Sequence, residues 1–228
     1  MLRHRLPVRQ QVVAIAPTPG PHLVHLPWSF PPAPGTVRDP RPYHLAIDIL
    51  MVCTGNTCRS PMAAALLARR LDEAGVKAVV SSVGLLFDGR PATEHGQAVM
   101  ADRGIDTSGH RARKLRPEDV EGVDLVIGMA REHVRETVAL AGPAVMGRAF
   151  TLKEIVRRGE ERGGRSPGEP LADWLARIGA GRRPADLLGE HEADTVADPI
   201  GGPRRAYERT AEELDDLTTR LARLLTGG

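Results

Sequence analysis

Cysteine and aromatic residues are scarce in this chain. Of its 228 residues only two are cysteine, and Phe, Trp and Tyr together make up 3%. Two thiols five positions apart build no disulfide framework, which fits a reducing compartment. With so few rings, a core has to be packed from Leu, Val, Ile and Ala, and a hydrophobic content of 41% supplies enough of them. No apolar run approaches the roughly 18 residues of a membrane span, so no membrane partner is expected. Charge of one sign is also missing. The net +2 divides into +4 over residues 1–44, which hold five Arg and one Asp, and −2 over the remainder. That remainder carries no basic field, so no nucleic-acid partner is expected either. These absences describe a soluble, cytoplasmic protein.

Ten of the 19 prolines fall in residues 1–44, among them "PTPGPHLVHLPWSFPPAPG". Such a segment supports neither a regular helix nor a central strand, and it lacks the apolar core and cleavage site of a secretory signal. It reads as a disordered N-terminal extension. From Leu45 onward the pattern changes to alternation. "LAIDILMV" reads as a buried strand, and "SPMAAALLARRLDEAG" as a helix from Ser60 to Gly75. "VKAVVSSVG", "DLVIGM" and "AVMGRAF" read as further strands. "TEHGQAVMADRG", "REHVRETVALAG" and the shorter "TLKEIVRR" read as helices between and after them. Strands alternating with helices predict an α/β fold, a four-stranded parallel sheet with helices on both faces, over residues 45–228. Near the end, Tyr207, Leu214, Leu217, Leu221 and Leu224 recur at helical spacing and predict an amphipathic helix docked on that sheet.

Both cysteines lie in one turn, Cys53-Thr54-Gly55-Asn56-Thr57-Cys58-Arg59-Ser60, between the first strand and the first helix. A strand feeding a helix N-terminus through a tight loop makes an anion site, because backbone N–H groups converge there and the helix dipole adds positive charge. Gly55 and Asn56 are residue types that tolerate positive φ, and Pro61 suits the first turn of a helix. Arg59 can close over two oxygens of an anion as a fork. A thiol in such a cradle is favoured as thiolate, which suits nucleophilic attack on phosphorus. The Ser60 hydroxyl is placed to hydrogen-bond that thiolate. Two alternatives fail on residues. There is no G-x-x-x-x-G-K-[ST] string, and no further ligands stand at zinc spacing near the loop. No metal and no cofactor are expected.

The string C-x5-R-S followed by Pro, placed after a hydrophobic strand, resembles the phosphate loop of the low-molecular-weight protein tyrosine phosphatase family. "SSVGL" and "DLVIGM" resemble that family's second and third strands. The resemblance implies that Cys53 is the nucleophile and Arg59 the phosphate clamp. It also implies that Thr54, Gly55, Asn56, Thr57, Cys58 and Ser60 line the phosphate cradle, and that Cys58 is a second thiol able to protect Cys53 as a reversible disulfide. The reaction needs a proton donor for the leaving group, and the family supplies an Asp from a late Asp-Pro pair. This chain has Asp198-Pro199 before the last helix; its other such pair, Asp39-Pro40, lies in the N-terminal extension. Asp198 is therefore the expected acid, although Asp-Pro on its own also marks plain turns.

The expected substrate is a phosphorylated protein or peptide, with phosphotyrosine as the family's broad activity. The residues after Asp198-Pro199 are Ile200, Gly201 and Gly202, without the family's usual Tyr pair, and Thr57 stands where a bulkier aliphatic residue is common. In these features "CTGNTCRSPM" is similar to bacterial protein-arginine phosphatases of the same family, which makes phosphoarginine the alternative. Arsenate reduction by a thiol relay is excluded, since no third cysteine exists, and a version drawing on an external thiol fits "RSP" poorly. A non-catalytic phosphate binder gains little from a nucleophile. Residues 157–194 read as an insertion beside the pocket, with "PLADWLARI" a short helix whose Trp174 either shapes substrate access or simply packs beneath it. His95, His110 and His133 stand alone in the sequence and read as surface or supporting residues without an assigned role.

Overall fold

The structure is a computed structural model that describes residues 46–227. The expected extension over 1–44 lies outside the described residues. Four strands form one sheet in the order β2-β1-β3-β4, all parallel. They are β1 (Ile47–Cys53), β2 (Ala78–Gly84), β3 (Leu125–Gly128) and β4 (Ala149–Thr151). The longer helices are α1 (Arg59–Glu73), α2 (Glu94–Ala101), α4 (Arg131–Ala141), α5 (Leu152–Arg162), α6 (Leu171–Gly179) and α7 (Arg204–Thr226), with a single turn α3 at Pro117–Val120.

Strand alternation sorts the side chains onto two faces. Ile49, Met51, Leu125 and Ile127 point to one side and join Leu66, Leu67, Ile155, Trp174, Leu214 and Leu221 from α1, α5, α6 and α7. Leu50, Val52 and Val126 point to the other, where Val120 and Val134 from α3 and α4 cover them. Both faces are buried, as near-continuous apolar strands require. The periodic residues of α7 behave as their spacing predicts: Tyr207, Leu214, Leu217 and Leu221 are buried, and Leu224 packs partly against the same cluster. Among the described residues no helix is long and apolar enough to cross a membrane.

The fourth strand is shorter than "AVMGRAF" suggests. Gly142, at φ 92°, ends α4, and Pro143–Arg148 coils into a 3-10 turn that sends Val145 into the second core. Only Ala149–Thr151 reaches β3 to pair. "TLKEIVRR" forms a helix as expected, and it runs on to Arg162. Thr151 Oγ1 caps α5 by accepting from the Glu154 N–H at 3.1 Å, and the helix runs for 11 residues.

Trp174 is fully buried and takes no part in access to any pocket. Its ring lies where α5 has Gly159, and its Nε1 donates to the Gly163 carbonyl at 3.1 Å. A Cβ at Gly159 would meet Leu224 Cδ1 at 2.7 Å and Trp174 Cζ2 at 3.3 Å, so the glycine leaves room for both side chains. Past α6 the chain is stapled back by buried Asp194, which accepts from Arg131 Nε at 2.7 Å and Arg157 at 2.9 Å. The Val196 N–H then donates to the Met129 carbonyl at 2.8 Å, which carries the following Asp-Pro turn to the C-terminal end of the sheet.

Candidate active site

The loop 54–58 leaves the C-terminal end of β1, the central strand position beside β3, and enters α1 at Arg59. Ligands of open α/β sheets collect at such carboxyl ends. Asn56 is the only non-glycine at positive φ among the described residues (φ 50°). Its left-handed backbone turns the loop inward, and its side chain explains why the strained geometry persists. Nδ2 donates to Ser60 Oγ and to Ser82 Oγ, each at 2.9 Å, while Oδ1 accepts from the Arg113 N–H at 2.9 Å. The Asn56 carbonyl meets His110 Nε2 at 2.6 Å. One buried amide thus ties the loop to α1, to β2 and to the segment before α3.

Close approach at β2 depends on Gly84. A Cβ there would stand 2.7 Å from the Asn56 nitrogen and 2.9 Å from Asn56 Cβ. Only a bare Cα lets the loop lie against the strand end.

Cys53 Sγ sits at the floor of this loop, buried, as a free thiol. The Asn56 N–H donates to it at 3.3 Å, and Ser60 Oγ is 3.0 Å away. Ser60 Oγ accepts from Asn56 Nδ2, and its own proton is shared between the Cys53 sulfur at 3.0 Å and the Val83 carbonyl at 3.3 Å. Cys58 is also buried and free. Burial, reinforced by nearby Cys53 and Asp198, pushes its thiol well above the usual range, so it stays protonated. Of the two cysteines, Cys53 is the one whose sulfur meets both the Asn56 N–H and the Ser60 hydroxyl.

Arg59 closes the site. Its guanidinium, 5% exposed, donates through Nη2 to Thr54 Oγ1 at 3.1 Å and to Asp198 Oδ2 at 2.5 Å, and through Nη1 to the Val196 carbonyl at 3.3 Å. The turn behind Asp198 is fixed by Oδ1, which accepts from the Ile200 N–H at 3.1 Å. Phe87 covers Gly55 from the rim, with Arg90 stacked 3.6 Å from its ring centre. Thr57 is buried, and a Cβ on Gly55 would come within 3.2 Å of its hydroxyl.

All the loop residues named from the sequence, Cys53 to Ser60, lie in the one turn from the end of β1 into α1, and Asp198 is brought to Arg59 from 139 positions away. Several contributors carry no mark in the sequence. Ser82, Gly84, Arg113, His110 and His133 support the loop from other elements. His110 and His133 are buried, whereas His95 is exposed and lies edge-on to Tyr207 at 5.2 Å. Nothing near either buried histidine in the sequence signals that position. Only the small-residue string "SSVG" hints that something must approach β2 closely.

Residues 48–164 match the family described as low molecular weight phosphotyrosine protein phosphatase. A protein-arginine-phosphatase of Geobacillus stearothermophilus is 32% identical over 178 residues, which cover 78% of this chain and 95% of that protein. The low molecular weight protein-tyrosine-phosphatase Etp of Escherichia coli K12 is 38% identical over 113 residues, 50% of this chain and 74% of that one. Among solved structures, a low molecular weight protein tyrosine phosphatase from T. tengcongensis superposes with a TM-score of 0.58 at 34% identity, covering 77% of this chain and 97% of its own.

Proposed function

The chain belongs to the low molecular weight phosphotyrosine protein phosphatase family, and from that membership we propose that it hydrolyses phosphotyrosine in proteins through a cysteinyl-phosphate intermediate on Cys53. The observation that carries this reading is the convergence of the Asn56 N–H and the Ser60 hydroxyl on Cys53 Sγ, at the floor of a loop roofed by Arg59. A thiolate held by hydrogen bonds beside a fixed cation is arranged for a phosphate dianion and for attack on its phosphorus.

In the first step Cys53 Sγ attacks phosphorus, the S–P bond forms, and the bond from phosphorus to the phenolic oxygen breaks. Asp198, in its acid form, gives its proton to that leaving oxygen, which otherwise departs as a phenolate whose conjugate acid has a pKa of about 10. In the second step the Asp198 carboxylate takes a proton from water as its oxygen attacks phosphorus. The S–P bond breaks, and Cys53 leaves as a thiolate stabilised by Ser60. Arg59 and the loop N–H groups hold the equatorial oxygens throughout. An incoming dianion competes with Asp198 for Arg59, which frees the carboxyl for proton transfer.

A second reading, phosphoarginine as substrate, draws on two observations. The relative matched over 95% of its length is a protein-arginine-phosphatase, and buried Thr57 adds a hydroxyl beside the loop where the flanking Ile200-Gly201-Gly202 offers no ring to grip a phenyl group. Side-by-side hydrolysis of a phosphotyrosine peptide and a phosphoarginine peptide, with Cys53→Ser as blank, separates the two. Preference for phosphotyrosine supports the first; preference for phosphoarginine replaces it. Turnover of neither sinks both.

The phosphatase unit is assigned to residues 45–228, of which the described part builds the one sheet and its two cores. Two free thiols at the site support a reducing compartment, the cytoplasm, as the place of action.

A further inference from the structure

We infer that Glu132 and His133, at the start of α4, aim Arg59 at the phosphate through Thr54. This rests on the reading of Arg59 as the phosphate clamp. A guanidinium has donors only, so in its 3.1 Å contact with Thr54 Oγ1 the hydroxyl must accept. The threonine proton then has to leave on the other side. Two groups receive it there: His133 Nε2 at 3.0 Å and Glu132 Oε1 at 3.4 Å, themselves 3.2 Å apart. In either ring tautomer the result is the same. A bare Nε2 takes the proton itself; a protonated Nε2 donates to Glu132, and Glu132 takes the proton from Thr54. Each arrangement leaves a threonine lone pair facing Arg59.

The ring itself is neutral. Burial, with the Arg59 charge adding to it, holds the His133 pKa down to about 3, against an opposing backbone contact with Ala130. His133 is fully buried, so it does not turn away to solvent. The approach is built into the fold at Gly128, the last residue of β3. A Cβ there would meet Val134 Cγ2 at 2.9 Å and His133 Cβ at 3.0 Å. Glycine at the strand end therefore lets the first turn of α4 press against the phosphate loop.

The consequence concerns what a substrate displaces. Arg59 Nη2 is shared between Thr54 and Asp198. Asp198 is part-exposed and lies on a turn, whereas Thr54 is held from behind by α4. A dianion that displaces Asp198 leaves the Thr54 contact in place, so the guanidinium keeps its plane while changing partners. Glu132 and His133 are positioning residues in this scheme and touch no reacting atom.

The test is a double-mutant cycle on kcat/KM and on the inhibition constant of inorganic phosphate. Wild-type turnover that Cys53→Ser abolishes is established first. Its absence overturns the phosphatase reading, an outcome distinct from failure of the α4–Thr54 contact. Thr54→Val, equal in volume but without the hydroxyl, is expected to lower kcat/KM about tenfold and to weaken phosphate inhibition by a similar factor, the loss of one oriented hydrogen bond to a charged group. Thr54→Ser, which keeps the hydroxyl, is expected to recover most of the activity and phosphate inhibition that Thr54→Val loses. The pair Glu132→Leu with His133→Leu should cost about as much as Thr54→Val, and adding Thr54→Val to that pair should cost nothing more. His133→Gln, whose amide reaches the Nε2 position, should restore activity relative to His133→Leu. Additive losses, or unchanged phosphate inhibition in the α4 pair, overturn the inference. Where the α4 variants do not fold, Thr54→Val decides against Thr54→Ser, and equal phosphate inhibition in the two overturns it.

Discussion

Gly84→Ala is the perturbation that most sharply separates cradle geometry from general stability. The backbone at Gly84 has no positive φ, so alanine adds no conformational strain there. What it adds is a methyl 2.7 Å from the Asn56 nitrogen and 2.9 Å from both Asn56 Cβ and the Gly55 carbonyl carbon. Ordinary contact begins at 3.4 Å, so about 0.7 Å of movement is required. The strand end cannot easily supply it. Gly84 is held by its N–H to the Arg113 carbonyl at 2.8 Å and by its own carbonyl, which accepts from Leu115 N–H at 2.6 Å. The loop must retreat instead. The Asn56 N–H, 3.3 Å from Cys53 Sγ, shifts with it, and its hydrogen bond to the sulfur weakens. Misplacement by an ångström near reacting atoms costs about a hundredfold in rate, so a fall in kcat/KM of ten- to a hundredfold is expected. Overpacking costs about 1–3 kcal/mol of stability. The assay is steady-state hydrolysis alongside thermal unfolding, with Gly147→Ala as control, since a Cβ at Gly147 meets nothing within 4 Å. A Gly84→Ala protein that melts earlier but keeps kcat/KM within about threefold of wild type would refute the reasoning, because the loop would then be shown to tolerate the shift.

Three further outcomes are expected. Ser60→Ala removes the hydroxyl 3.0 Å from Cys53 Sγ and should slow breakdown of the cysteinyl-phosphate about tenfold; a burst of phenol release whose amplitude approaches one per enzyme checks it, and no burst counts against the role. Asp198→Asn should cost about 10²–10⁴-fold on a phenyl phosphate and far less on an ester with an acidic leaving group. An equal loss on both would remove Asp198 as the proton donor. Stability should fall with acid through His133: its folded pKa, about 3, lies below the ordinary 6.5, so the unfolded chain binds the extra proton between those values. Stability from this group is thus complete above pH 6.5 and lost towards pH 3, with a slope of up to about 1.4 kcal/mol per pH unit. Urea unfolding at pH 7, 6 and 5 reads it, and a His133→Gln protein with the same slope as wild type would exclude His133 as the source.

Much of this protein is legible in its sequence because the relevant forces act over short separations. Apolar runs alternating with amphipathic segments specify strands and helices by side-chain period alone, and the period of α7 suffices to place Tyr207, Leu214, Leu217 and Leu221 in the core. The anion cradle is contiguous: Cys53 to Ser60 carries its strand end, its left-handed position at Asn56 and its helix start in one string. The end of α4 and the short β4 are less legible, because the 3-10 turn at Pro143–Arg148 wins over a strand through packing of Val145 rather than through propensity. Trp174 shows the same limit, since its place in the core is set by packing against α5 and α7 across helix crossings.

What holds the cradle in shape comes only from tertiary structure. Asn56 reaches Ser82 across 26 positions, Arg113 across 57 and His110 across 54; Thr54 reaches His133 across 79, and Arg59 reaches Asp198 across 139. Family resemblance singles out Asp198 but not its pairing with Arg59, and neither buried histidine carries any local mark. A side chain's type states which hydrogen bonds it can make. Which partner satisfies them is decided by the parallel sheet, which brings the C-terminal ends of β1, β2 and β3 together and sets distant residues within 3 Å of one loop.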